Sequence, residues 1–131
     1  ELEGSSYSVP YQADAPCKHE FVVSGKNLAR RTGIRTLDVA KALLDHGIHA
    51  PTIYFPLIVD ESLMIEPTET EPVENLDFLA QALKEIEKTA QNHPEKVLGA
   101  PHNAAVRRLD EAKASHPLTM AYNWSKIKQQ S

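Results

Sequence analysis

The chain has 131 residues, enough for one compact core and short for two. Hydrophobic residues make up 41% and charged ones 24%, ordinary proportions for a folded soluble protein, which argues against disorder along the whole chain. Fourteen Lys and Arg against eighteen Asp and Glu leave a net charge of −4, so no global basic field exists to hold a nucleic-acid backbone, and no run reaches the roughly 18 apolar residues that cross a bilayer. Neither nucleic acid nor membrane is an expected partner.

Residues 1–16 read as an irregular lead-in and 17–131 as a single domain. Residues 19–24, rich in β-branched and aromatic side chains, predict a first strand, with Gly25, Lys26 and Asn27 as a turn after it. Thr36 is placed to cap a helix through Leu37, Val39, Ala40, Leu43 and Leu44, with Asp38 favoured in its first turn. Gly47 suits the left-handed position that ends this helix, and Ile48 can pack back onto it. Residues 51–56 and 62–66 predict two strands, and the short connection favours an antiparallel hairpin because a parallel pair needs a longer crossover. Pro72 fits the first turn of a long helix carrying Leu76, Leu79, Leu83, Ile86 and Ala90 on one stripe, which Pro94 stops. A weaker surface helix is expected over 104–114, capped by Asn103 and burying at most Val106 and Leu109. The resulting fold class is α+β: a small three-stranded mixed or antiparallel sheet with helices packed on one face.

The chemistry-bearing residues form no self-sufficient site. Cys17, His19 and Glu20 are close in sequence, but strand alternation lets at most two of them converge, and the second pair that a metal would need is missing; no metal is expected. His46 and His49 are separated by the helix-breaking Gly47, so they are read as independent, His49 as an open cleft residue. Glu66, Glu69 and Glu71 with Thr68 and Thr70 suit the start of the long helix, with Glu66 or Glu69 as a less favoured general base or amine clamp. Arg30, Arg31 and Arg35, and separately Arg107 and Arg108, could meet an anion but are more ordinarily solvated. Gly25 and Gly33 are isolated and open no phosphate-binding loop.

Several stretches carry a resemblance: Thr36-Leu37-Asp38-Val39-Ala40-Lys41, Leu44-Asp45-His46-Gly47, His49-Ala50-Pro51-Thr52 and Met64-Ile65-Glu66-Pro67-Thr68-Glu69, in that order, with Cys17-Lys18-His19-Glu20-Phe21 before them and Ala100-Pro101-His102-Asn103 and Arg107-Arg108-Leu109-Asp110 after. From about Pro10 onward the chain resembles the C-terminal region of glycine decarboxylase, the P-protein of the glycine cleavage system, in its two-subunit form. The resemblance implies a pyridoxal phosphate (PLP) enzyme of the aspartate-aminotransferase fold, fold type I, that decarboxylates glycine and passes the aminomethyl group to the lipoyl arm of H-protein. It further implies that this chain is the small C-terminal domain of subunit 2, with the PLP-binding large domain and its Schiff-base lysine outside it and subunit 1 as a partner. The catalytic lysine is carried onto none of Lys18, Lys26 or Lys41, no cofactor is expected on this stretch alone, and the isolated stretch is expected to be inactive. By motif matching, His19, His49, Thr52, Glu66, Thr68, Glu69 and His102 are the candidate cleft-lining residues, and none is assigned as catalytic. A bacterial or archaeal cytoplasm is the implied setting. The alternative is a free-standing amino-acid-binding regulatory module or an oligomerisation module.

Overall fold

Strand alternation sorts the apolar side chains into two faces, and one of them carries the core. In the computed structural model, which describes residues 2–11 and 16–120, β1 (Phe21–Ser24) and β2 (Thr52–Ile53) flank β3 (Ser62–Ile65), and both pairings are antiparallel. This resolves the mixed-or-antiparallel alternative. Phe21 lies opposite Ile65 and Val23 opposite Leu63, and these four join the core, while Val22 and Met64 pair on the other face. β2 is shorter than the expected 51–56 because Tyr54, whose N–H still reaches the Ser62 carbonyl, turns left-handed with φ at 58° and carries the chain out of the strand.

Where a turn was expected at 25–27, a helix begins. α1 (Lys26–Thr32) follows Gly25 and closes at Gly33, whose φ of 76° is left-handed and whose N–H donates to the Ala29 carbonyl at 2.9 Å. Only Leu28 of this helix is buried, so its sequence carries no apolar period. α2 (Thr36–Asp45) starts as expected, but Arg35 occupies the cap position rather than Thr36, and Asp38 Oδ2 reaches back to accept the Arg35 N–H at 2.9 Å. Its stop is the expected one: Gly47 N–H donates to the Leu44 carbonyl and Ile48 N–H to that of Leu43, the paired bonds of a Schellman turn.

α3 (Val73–Asn92) has Pro72 at its cap rather than inside its first turn, and buries Ala82, Leu83, Ile86 and Ala90. The predicted stripe therefore meets the core from Leu79 onward: Leu79 is half-buried against it, and Leu76 is 40% exposed. Pro94 ends α3 and opens α4 (Pro94–Gly99), a helix not anticipated, through buried Val97.

No helix spans 104–114. The helices there are α5 (Glu111–Ser115), whose cap is Asp110 through Oδ1 and the Lys113 N–H, and α6 (Pro117–Met120), and both Val106 and Leu109 are exposed. Tertiary contacts take the residues that local propensity had assigned to a helix. Asp45 accepts the N–H groups of His102 at 2.7 Å and Asn103 at 2.6 Å. Arg108, read as solvated, binds the nearly buried Asp38 at 2.7 Å and the Ala100 carbonyl at 2.9 Å. The lead-in also takes part: Tyr7 is buried in the core and Ser8 bridges Ser24 at the edge of β1. Residues 12–15 and 121–131, within the two expected segments, lie outside the described residues. Among the described residues no helix is long and apolar enough to cross a membrane.

The hairpin connection, residues 54–61, is fastened to this framework at its base. Glu61, with φ at 50°, accepts the Thr36 N–H on Oε2 at 2.8 Å and both Nε and Nη2 of Arg35 on Oε1 at 3.0 and 2.9 Å, while its own carbonyl accepts the Gly25 N–H at 2.8 Å. Ser24 Oγ donates to the Asp60 carbonyl at 2.7 Å, and Arg35 lies 5.6 Å over the Tyr54 ring.

Three stability outcomes follow from these contacts. Glu61→Ala strands the N–H of buried Thr36 and lowers unfolding free energy by about 1–3 kcal/mol, with Glu61→Gln costing less, read by urea denaturation. Arg108→Met, which leaves the Asp38 carboxylate short of its cation, costs about 1–2 kcal/mol, whereas Arg107→Met stays within about 0.5 kcal/mol. Burial, with a smaller push from Glu87, raises the Tyr7 phenol well above its ordinary 10.0. The unfolded chain therefore sheds that proton first, so the contribution is whole below pH 10 and is lost as pH rises above it. The loss approaches about 1.4 kcal/mol per pH unit. Tyr7→Phe removes this alkaline loss, and at pH 7 it moves stability by less than about 1 kcal/mol because the hydroxyl has no hydrogen-bond partner among the described residues; denaturation curves from pH 8 to 11.5 test both statements.

Candidate functional site

The hairpin has two ends, and each presents a surface. At the end where β2 begins and β3 finishes, a groove of about 670 Å³ opens between the 47–52 segment, residues 64–67 and the first turns of α3. The Schellman stop at Gly47 turns the chain away from α2 and forms one wall, and the first half of α3, with exposed Leu76 and Phe78 and with Leu79 at the edge of the core, forms the other. His49, Thr52 and Glu66 come together on this lining. Glu71 also lines it, and its carboxylate accepts from the Asn75 amide at 2.7 Å.

The other candidates lie outside the groove. Thr68 and Glu69 sit in the exposed turn before α3, where Thr68 Oγ1 is 2.8 Å from Thr70 Oγ1. His19 is exposed ahead of β1, and its Nε2 is 3.7 Å from Glu20 Oε2. His102 gives its backbone N–H to Asp45, and its Nε2 lies 2.8 Å from the Lys96 carbonyl, an acceptor that requires the proton on that nitrogen. His46 is the C-cap residue of α2, apart from any ligand set. Among the described residues no three His, Cys, Asp or Glu side chains are grouped to hold a metal ion.

The groove joins an imidazole and two carboxylates to an apolar wall, and its described lining contains no Lys or Arg. It suits a neutral or amine-bearing group and offers nothing to neutralise a phosphate. An aldehyde cofactor carrying a phosphate does not fit these residues alone, since neither an imine-forming amine nor an anion clamp is present among them.

At the opposite end of the hairpin, Phe55, Leu57 and Ile58 stand 52%, 86% and 83% exposed. Lys26, Arg30 and Arg35 share a surface hollow with Leu57 and Val59; Lys26 pairs with Asp60 at 2.5 Å, and this ammonium holds the Asp60 carboxyl below its ordinary range. Glu61 in turn raises Arg35, so both acids of the loop base are engaged, while Arg30 makes no contact ion pair among the described residues. The sequence expectation places Phe55 in the strand over 51–56 and Leu57 to Glu61 in the hairpin connection, and singles out neither as a surface. The available signal was an apolar run, Phe55 to Val59, where a solvent-facing turn ordinarily carries polar residues.

Comparison with known proteins matches residues 2–108 to the family described as glycine dehydrogenase, C-terminal domain. Curated relatives named probable glycine dehydrogenase (decarboxylating) subunit 2 are 57% identical in Chlorobium phaeovibrioides, over 91% of this chain and 24% of the relative, and 50% identical in Sulfurisphaera tokodaii, over 98% and 25%. A third, in Thermosipho africanus, is 55% identical over 82% of this chain and 22% of its own length. The chain thus spans about a quarter of the length of these relatives. With the match covering most of its length, the chain belongs to the glycine dehydrogenase C-terminal domain family.

Proposed function

We propose that this chain acts as the C-terminal domain of subunit 2 of a decarboxylating glycine dehydrogenase, working with subunit 1 to decarboxylate glycine and pass its aminomethyl group to the lipoyl arm of H-protein. The observation that carries this reading is identity of 50 to 57% to proteins of that name, over about a quarter of their length. The described lining of the groove, with an imidazole, two carboxylates and an apolar wall, is consistent with a subsidiary role beside a cofactor held by the rest of the subunit. Bound by the rest of the subunit, that cofactor supplies the electron sink for loss of the carboxylate.

The residues of this chain bind, orient and exclude water. His49, Thr52 and Glu66 line the cleft closed against the rest of the enzyme: the Thr52 hydroxyl and Glu66 carboxylate offer acceptors to an ammonium, and the His49 imidazole can hold a proton at either ring nitrogen. Thr68 and Glu69, one turn beyond, and His19 and His102 complete the candidate set only if other parts of the enzyme reach them.

The test is exchange of labelled bicarbonate with glycine, with pyridoxal phosphate and H-protein supplied. The full-length subunit pair is expected to exchange, and this chain alone and the pair lacking this segment are expected not to. Glu66→Gln and His49→Ala in the full-length pair are expected to lower exchange at least tenfold without loss of subunit assembly. Exchange by the isolated chain overturns the domain reading, and unchanged rates in both variants remove the groove from the cleft.

A further inference from the structure

The tip of the hairpin is rigid at its base and apolar at its end. Tyr54 N–H donates to the Ser62 carbonyl at 2.9 Å, Val59 N–H to the Pro56 carbonyl at 3.1 Å, and Glu61 and Asp60 are fastened to α1, α2 and β1 as described. Nothing in this base needs the apolar side chains of Phe55, Leu57 and Ile58, which point away from the core to which such residues ordinarily belong. An ordered loop that holds aromatic and aliphatic anchors in solvent has met the conformational cost of binding in advance.

The path of the lead-in indicates what covers it. Ser8 bridges Ser24, whose hydroxyl reaches Asp60 at the base of the tip; Ser6 takes its place between Arg31 and Glu87; and Tyr7 is buried beside Gly25. The N-terminal side of the domain is therefore anchored at the tip end of the sheet. If this chain is the C-terminal domain of a subunit about four times as long, the polypeptide preceding it enters at that end and is held there at high effective concentration.

We infer that the apolar tip Phe55-Leu57-Ile58 docks into the preceding part of the same subunit, in an apolar pocket with a carboxylate on its rim facing Arg30. This inference rests on the reading of the chain as one domain of a longer subunit 2. Charge complementarity selects the rim: Lys26 and Arg35 are already paired with Asp60 and Glu61, so Arg30 is the cation of this edge left for a partner among the described residues. The same body also reaches the groove, since the four residues of β3 separate the two ends by about 13 Å and Thr52 and Met64, which pair across β2 and β3, line the groove.

Hydrogen exchange on the full-length subunit tests this without reference to activity. Among the described residues the N–H groups of Leu57 and Ile58 have no acceptor, so in this chain alone they exchange freely. In full-length subunit 2 without subunit 1, exchange across 54–59 is expected to slow at least tenfold, and Leu57→Asp with Ile58→Asp is expected to restore the fast rate while leaving exchange in α2 and β3 unchanged. Arg30→Glu is expected to restore at least part of it. Fast exchange at the tip in the full-length subunit overturns the inference, as does protection that arises only on adding subunit 1, which assigns the tip to the partner subunit, or protection in this chain alone that rises with its concentration, which assigns it to a second copy. Because the readout is protection, a subunit pair inactive in glycine exchange would sink the proposed activity and leave this result to stand or fall by itself.

Discussion

The carboxylate of Glu61 is the contact on which the arrangement of this domain turns. A helix start leaves N–H groups without partners, and here the acceptor for the first of them comes from a loop twenty-five residues downstream. The same carboxylate holds the fork of Arg35, and the same residue's carbonyl holds Gly25, so a single position fixes the end of β1, the starts of α1 and α2 and the return of the hairpin into β3. Glu61 sits at a φ of 50°, a left-handed conformation that costs a non-glycine residue about 1–3 kcal/mol. The bond from the buried Thr36 N–H to this carboxylate, whose side chain is only 13% exposed, is charge-assisted and worth about 1.5–3 kcal/mol, enough to offset that cost, while the solvent-exposed Arg35 fork orients the carboxylate more than it stabilises it. A fully solvated ion pair would not have sufficed.

α2 is consequently held from both ends by acids acting at long range. At its start, Asp38 caps its own helix through the Arg35 N–H and with its other oxygen binds Arg108, bringing the segment after α4 across the helix. At its finish, Asp45 takes the N–H groups of His102 and Asn103. The two surfaces of the hairpin are then consequences of where this one helix begins and ends: its start sets the base of the apolar tip through Glu61, and its Schellman stop at Gly47 sets the wall of the groove.

What could be read from sequence follows the range of the interactions responsible. The Gly47 stop, the extent of α2, the antiparallel hairpin and the buried Leu83, Ile86 and Ala90 were legible because each depends on neighbours within one or two turns. α1 was missed because one buried leucine makes no period, and the helix over 104–114 was wrongly expected because Asn103 and Arg108 are engaged by residues 58 and 70 positions away. Of the candidate site residues, His49, Thr52 and Glu66 are brought together, since strand pairing places the start of β2 beside the end of β3. His102 lies outside the groove, held there by Asp45, a placement beyond local reasoning, and the family motif that singled it out carries no geometry.

The tip raises a question of energetics that the groove does not. Burying a leucine or isoleucine contributes about 1.5–3 kcal/mol, and this domain forgoes that at Leu57 and Ile58 while ordering the loop that carries them. A sequence free to relax would place polar residues there at no cost to the Glu61 clamp, which uses none of the apolar side chains. Retention of the run from Phe55 to Val59 on a fastened base is a net loss for the domain by itself and a gain once a matching surface covers it. The order of the base is what makes that gain large, because docking then immobilises few further torsions. The groove, by contrast, is half apolar wall and half carboxylate and imidazole, a composition that tolerates water and exchange of its contents. On the proposed reading, a lasting contact at the tip and an exchangeable one in the groove divide the labour between the two ends of the hairpin, because an apolar surface on an ordered base favours the first and a polar, water-tolerant lining the second.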